Sequence, residues 1–186
     1  MRKKSLSKGA RTLRAIGSLI DPRAWLHLIR IVNYYNYSHV QPLREASIGR
    51  APAISPDAVF SNASRIEIGD RARIGSRCHL WAGPGTGYIR IGNDVLMGPE
   101  VLLTAATYDY NAGSPITDQP MLEADIVVGN DVWFATRATV LPGAKVGDGA
   151  IIAANSVVRG EIPPNAIAAG SPAKVIGYRD IRLAEG

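Results

Sequence analysis

From residue 48 onward, large apolar residues recur every six positions, a spacing that neither the 3.6-residue helical period nor the two-residue strand period produces. Ile48, Ile54, Phe60 and Ile66 open the series, the frame slips by two, and Ile68, Ile74 and Leu80 resume it. After a five-residue insertion over 86–90 come Ile91, Met97 and Leu103; after a nineteen-residue insertion over 109–127 come Val128, Phe134, Val140, Val146, Ile152 and Val158 without a break. A second column stands four places later and runs from Ala58, Ser64, Ala72 and Cys78 through Val95, Val101 and Thr107 to Val132, Ala138, Ala144, Ala150 and Ser156, all small or β-branched. One large and one small inward residue per six describe short flat strands that meet at corners, three to a coil, each coil covering the next. A parallel β-helix over 45–178 is the expected fold.

Composition agrees with many tight corners: the chain has 19 Gly and 12 Pro but only 2 Phe among 186 residues. Gly follows the aliphatic residue at 69, 75, 92, 98, 129 and 147, which suits a bend with little room for a side chain. Cys78 is the only cysteine, so neither an intrachain disulfide nor a multi-cysteine metal site can form, and no metal is expected. Its place in the small inward column makes it a packed core thiol. Nothing argues for an oxidising compartment, and a cytoplasmic location is expected.

Residues 1–30 carry eight Lys/Arg against Asp21 alone, a balance of +7, whereas the remaining 13 basic and 15 acidic residues balance to −2. A solvated tail and a peripheral contact with an anionic membrane both fit this front-loaded charge; a nucleic-acid partner is not expected. No long apolar run or cleavage-site pattern points to a transmembrane helix or signal peptide. Asp21-Pro22 predicts a helix start, and Trp25, Leu28, Ile29, Val32 and Tyr35 predict an amphipathic helix over about 22–36, its apolar face packed on the rest of the protein and its end set by Gln41-Pro42. The expected division is 1–44, 45–178 and a tail over 179–186.

The segment ADIVVGNDVWFATRATVLPGAKVGDGAIIAANSVVRGEIPPNAIAAGSPAKVIG, 124–177, resembles the C-terminal half of the sugar and polysaccharide O-acetyltransferases of the hexapeptide-repeat acyltransferase superfamily. The shared signs are the Gly-Asn-Asp-Val-Trp coil, the Leu-Pro-Gly corner, the Ile-Pro-Pro turn and the closing Gly-Ser-Pro-Ala-Lys. The resemblance implies a left-handed hand for the β-helix, a homotrimer, and acetyl-CoA as acyl donor in a groove between subunits. It places donor contacts at Trp133, Ala135, Thr136, Ala153, Ala154 and Arg159, with Lys174 and Arg179 near the phosphates. Relatives often have glycine at Asn155, Thr-Lys at Arg159-Gly160 and Asn-Pro-Ala-Arg at 171–174. Asn tolerates a left-handed corner and Lys keeps the charge.

In the same relatives a catalytic histidine closes the hexad before the long loop, and here that hexad reads Leu-Thr-Ala-Ala-Thr-Tyr, so Tyr108 stands on the histidine. A phenol with a reference pKa of about 10 is a poor base at neutral pH but can donate a hydrogen bond to an oxyanion. His79 is the only histidine inside the repeats, His27 and His39 lying before them; Asp109 is a further candidate base or orienting group. Three readings stay open: His79 as base, Tyr108 with Asp109 or a water, and a tyrosine packed on the surface. The 109–127 loop suits a lid over the acceptor or a trimer-contact arm. The function implied is acyl-CoA-dependent O-acyl transfer to a sugar hydroxyl of a cell-surface polysaccharide or its precursor. N-acyl transfer to an amino sugar, which asks less of the base, and an inactive trimeric scaffold are the alternatives.

Overall fold

Three parallel sheets carry the sixfold period in the computed structural model, which describes residues 7–180. The first face stacks Ser47–Ile48, Ile66–Ile68, Ile89–Ile91, Ile126–Val128, Lys145–Val146 and Glu161–Ile162. The second stacks Ala53–Ile54, Arg73–Ile74, Leu96–Met97, Trp133–Phe134, Ile151–Ile152 and Ala166–Ala169, and the third Val59–Ser61, His79–Trp81, Leu102–Thr104, Thr139–Val140 and Val157–Val158. Each inward residue sits on its counterpart in the next coil: Phe60 pairs with Leu80 and Leu80 with Leu103, while Met97 pairs with Phe134 and Phe134 with Ile152. Phe60, Leu80, Leu103, Phe134 and Ile152 are fully buried, each burial worth roughly 1.5–3 kcal/mol.

The frame slip has a geometric cause. Ile66 and Ile68 both face inward from one three-residue strand, and so do Ile89 with Ile91 and Ile126 with Val128. Two expected insertion bounds therefore move: Ile89 and Arg90 belong to a first-face strand rather than to an insertion, and so do Ile126 and Val127. Two inward assignments fail as well. Ser64 is exposed because a turn of 3-10 helix over Ala63–Arg65 buries Ala63 instead, and Thr107 is exposed because the chain has already left the solenoid, with Ala105 and Ala106 buried in its place.

The repeated glycines serve the stacking of coils. A Cβ on Gly129 would lie 2.2 Å from Asp148 Oδ1 and 2.7 Å from Asp148 N, and one on Gly92 would lie 2.6 Å from Gly129 O. The left-handed conformation falls two residues later, at Arg71, Asp94 and Asp131, with φ between 53° and 58°; Asn155 is also left-handed, at φ 57°. Side-chain oxygens close the same corner as a ladder. Asp70 N donates to Asn93 Oδ1 at 2.7 Å, Asn93 N to Asn130 Oδ1 at 2.8 Å and Asn130 N to Asp148 Oδ1 at 2.6 Å. The Gly-Asn-Asp motif thus keeps a tight corner's backbone donors satisfied.

Both open ends of the solenoid are covered, which protects unpaired edges. At the first coil, His39 Nδ1 lies 2.7 Å from Ala58 O, and Pro42, in the short helix Gln41–Glu45, is buried. At the last, Lys174–Tyr178 pairs antiparallel with Ala166–Ala169, and Arg179 Nη1 holds Asp131 Oδ2 at 2.7 Å and Gly149 O at 3.0 Å. Arg179 is therefore tied to the solenoid rather than free in a tail; residues 181–186 lie outside the described residues.

The chain divides into two compact units, Met1–Tyr37 and Ser38–Gly186. In the first, the helix Pro22–Tyr35 begins where expected, with Asp21 Oδ1 accepting from Arg23 N at 2.9 Å. A second helix, Lys8–Ile20, was not expected; Gly9, Gly17 and the basic run obscure it, yet Leu13, Ile16 and Ile20 share one side of it. Trp25 Nε1 donates to Leu19 O at 2.8 Å across the joint. Within this unit the two helices bury no residue against each other. Contrary to expectation, Gln41-Pro42 does not end the helical run, because Pro42 occupies a first-turn position where its missing N–H costs nothing.

Candidate functional site

The long insertion is a hairpin. Ala106–Tyr108 runs antiparallel to Met121–Glu123, so Tyr108 stands opposite Met121 on the stem of an arm, and not at a solenoid corner as the hexad count implied. Asp109 N donates to Pro120 O at 2.9 Å and continues the ladder by one bond. Tyr108 is 40% exposed. The arm springs from the corner between the third and first faces.

Glu123 fastens that arm. Its carboxylate accepts from the backbone amides of Gly85 and Thr86 at 2.7 Å each, and from that of Gly87. These amides belong to Gly-Pro-Gly-Thr-Gly, 83–87, an excursion from the preceding coil whose carbonyls are held by Asn62 and by Arg65, the latter reaching Gly87 O at 2.9 Å. The Gly87 amide above all, with those of Gly85 and Thr86 and the Arg65 charge, holds the Glu123 carboxyl below its ordinary range. Sequence reasoning missed this clamp. The signal was the cluster of three glycines where the period breaks.

His79 lies on the third face, paired in register with Val59 and Leu102, and is half-buried with Nε2 3.2 Å from Ser61 Oγ. Burial lowers its pKa, favouring the neutral imidazole. Among the described residues Ser61 is its side chain's hydrogen-bonding partner, and no hydrogen bond joins it to Tyr108 or Asp109. Cys78 is a core thiol as expected: fully buried, with Sγ 3.2 Å from Gly98 O, its pKa raised by burial.

The residues singled out for the donor fall on two sides of the solenoid. Trp133, 46% exposed, shares a 690 Å³ trough on the second face with Arg73, Leu96, Ile151 and Arg179. Ala135 and Thr136 stand above Ala153 and Ala154 at the corner between the second and third faces, with Ala135 N donating to Ile152 O and Asn155 N to Thr136 O. Exposed Lys174 opens the final strand. Arg159 lies beyond the third face, where it lines a 320 Å³ cleft with Thr104, Tyr110, Leu141 and Pro142 under the arm. Among the described residues no group of three or more His, Cys, Asp or Glu could hold a metal ion, and no helix is long and apolar enough to cross a membrane.

These features define a class, a parallel β-helix of hexapeptide coils bearing a hairpin arm at one corner. The model of the family described as bacterial transferase hexapeptide (six repeats) matches residues 125–160. The probable macrolide acetyltransferase of Lysinibacillus sphaericus is 35% identical over 134 residues, 67% of this chain and 71% of that protein. An Escherichia coli K12 protein named as a candidate lipopolysaccharide biosynthesis O-acetyl transferase is 40% identical over 100 residues, 47% of this chain and 49% of its own. The solved structure of a galactoside acetyltransferase in complex with coenzyme A superposes with a TM-score of 0.64 at 28% identity, covering 84% of this chain and 81% of that one. The chain belongs to the hexapeptide-repeat acyltransferase superfamily. It spans only about half the length of some curated relatives, 49% of the E. coli protein and 59% of one from Schizosaccharomyces pombe.

Proposed function

We propose that the protein is an acyl-CoA-dependent O-acyltransferase, using acetyl-CoA as donor and a sugar hydroxyl of a cell-surface polysaccharide or its precursor as acceptor. The observation that carries this reading is the arm clamped by Glu123 above a cleft containing Arg159. Acetyl transfer is the activity named for the relatives, and sugar or lipopolysaccharide acceptors for the E. coli protein and the galactoside acetyltransferase. Trp133 and Arg159 line separate cavities on one chain. One groove holding both needs two copies, which favours a homotrimer with sites between subunits, located in the cytoplasm where acyl-CoA is made.

The reaction needs a base to remove the acceptor hydroxyl proton as its oxygen attacks the thioester carbonyl; CoA then leaves as the thiol after gaining a proton. We assign that base to His79 rather than Tyr108, because partial burial lowers the imidazole's pKa and favours its neutral, proton-accepting form. In the tautomer whose Nε2–H donates to Ser61 Oγ, Nδ1 keeps the lone pair that accepts the proton. From a neighbouring subunit's arm, the Tyr108 hydroxyl donates a hydrogen bond to the developing oxyanion, and Asp109 beside it accepts from a hydroxyl of the acceptor and orients it. Ala135, Thr136, Ala153 and Ala154 give a small-residue wall for the pantetheine, and Lys174 a mobile cation for the phosphates; Arg179 adds charge while held by Asp131. Comparing kcat for His79→Ala, Tyr108→Phe and Asp109→Asn tests the roles. Loss of roughly 10²- to 10⁴-fold is expected for His79→Ala, and wild-type turnover in that variant would remove His79 from the mechanism.

A further inference from the structure

The N-terminal unit holds two amphipathic helices that do not bury their apolar sides against each other. On Lys8–Ile20, Leu13 (73% exposed), Ile16 (52%) and Ile20 (78%) share one side, and Arg11, Arg14 and Ser18 the opposite one. On Pro22–Tyr35, Trp25 (52%), Leu28, Ile29 and Val32 share a side, while Arg23, His27 and Arg30 take the other. Residues 1–37 hold eight Lys/Arg against Asp21 alone.

We infer that this unit is a peripheral membrane anchor that takes an anionic lipid surface as its partner, a property separate from the transfer reaction. The charge decides the occupant. A second copy of the unit would oppose +7 with +7, and residues 38–186 carry a balance of only −2. Anionic headgroups offer a continuous negative plane to the cations, and the acyl region beneath accepts Leu, Ile and Trp side chains from a helix lying in the interface. Neither helix reaches membrane-spanning character, so the contact lies along the surface. Trp25 sits on the apolar side near the joint, as an interfacial aromatic does.

Sedimentation of the full chain with vesicles tests this, using phosphatidylcholine alone and phosphatidylcholine with about 30 mol% phosphatidylglycerol. Partitioning at least about tenfold stronger into the anionic vesicles is expected, weakening with added salt. Ile16→Glu with Ile29→Glu, and separately Arg11→Glu with Arg14→Glu, should abolish it while leaving the solenoid's melting temperature unchanged. A blue shift of tryptophan emission on binding, absent in Trp25→Phe, places the apolar side in the lipid. No partitioning, or equal partitioning into both vesicle types, overturns the inference. So does a variant whose vesicle binding persists while its mass by light scattering falls, since the helices would then be covered by a second copy.

Discussion

Glu123 and Gly85 are 38 residues apart in sequence and 2.7 Å apart as carboxylate and amide, and this contact, repeated at Thr86, ties the arm bearing Tyr108 to the coil before it. A charged acceptor engaging several backbone donors is among the stronger hydrogen-bonded arrangements available to a protein. Glu123→Gln, which keeps one acceptor and loses the charge, should speed amide exchange at Ala106–Tyr108 by about tenfold or more while core strands such as Phe134 stay protected. Exchange mass spectrometry reads both. The carboxyl's folded pKa is depressed below its unfolded value, so its stabilisation is complete at neutral pH and is lost as acid carries it through the folded value. The arm should therefore loosen below about pH 4, before the solenoid melts.

Two glycines separate coil stacking from backbone freedom. Gly129→Ala puts a methyl into the Asp148 backbone of the next coil and should cost at least about 1–3 kcal/mol in chemical denaturation. Gly177→Ala, with nothing within 4 Å of the added carbon, should stay within about 0.5 kcal/mol of wild type. Equal effects would mean that coil contact is not what requires glycine at position 129.

As the proposed base, His79 should set the pH dependence of the proposed transfer. Its pKa is lowered by burial, so the imidazole stays neutral below the ordinary histidine value of about 6.5, and the acid limb of kcat/KM should fall beneath that pH. Stability follows the same sign. The contribution is whole above the unfolded value and declines as pH drops toward the folded one, because the unfolded chain binds the proton more readily. A pH–rate profile alongside nuclear magnetic resonance titration of the imidazole checks both; a limb above pH 6.5 assigns the titration to another group.

The solenoid was legible in the sequence because the coils repeat large and small inward positions, with Ser64 and Thr107 as exceptions, and neighbours such as Leu80 and Leu103 or Phe134 and Ile152 stack at equivalent places. The arm was legible only as an interruption. Its stem, Ala106–Tyr108 against Met121–Glu123, has too few alternating residues to announce a hairpin, and Glu123 draws its meaning from amides 36 to 38 residues away that carry no side-chain signature. Register counting placed Tyr108 at the chain position where the resemblance puts a histidine; the stem decides that its side chain leaves the solenoid. The helix Lys8–Ile20 was hidden by two glycines and a basic start that read as tail.

Titration of the purified protein with acetyl-CoA by calorimetry, followed by an assay for labelled acetyl transfer to a saccharide, is the most direct measurement of acyl-CoA-dependent O-acyl transfer. Saturable binding, weakened by Lys174→Ala and Trp133→Ala, with the label appearing in a base-labile ester on the saccharide, is the expected result. Absence of acetyl-CoA binding by the folded protein would contradict the proposed activity at its root.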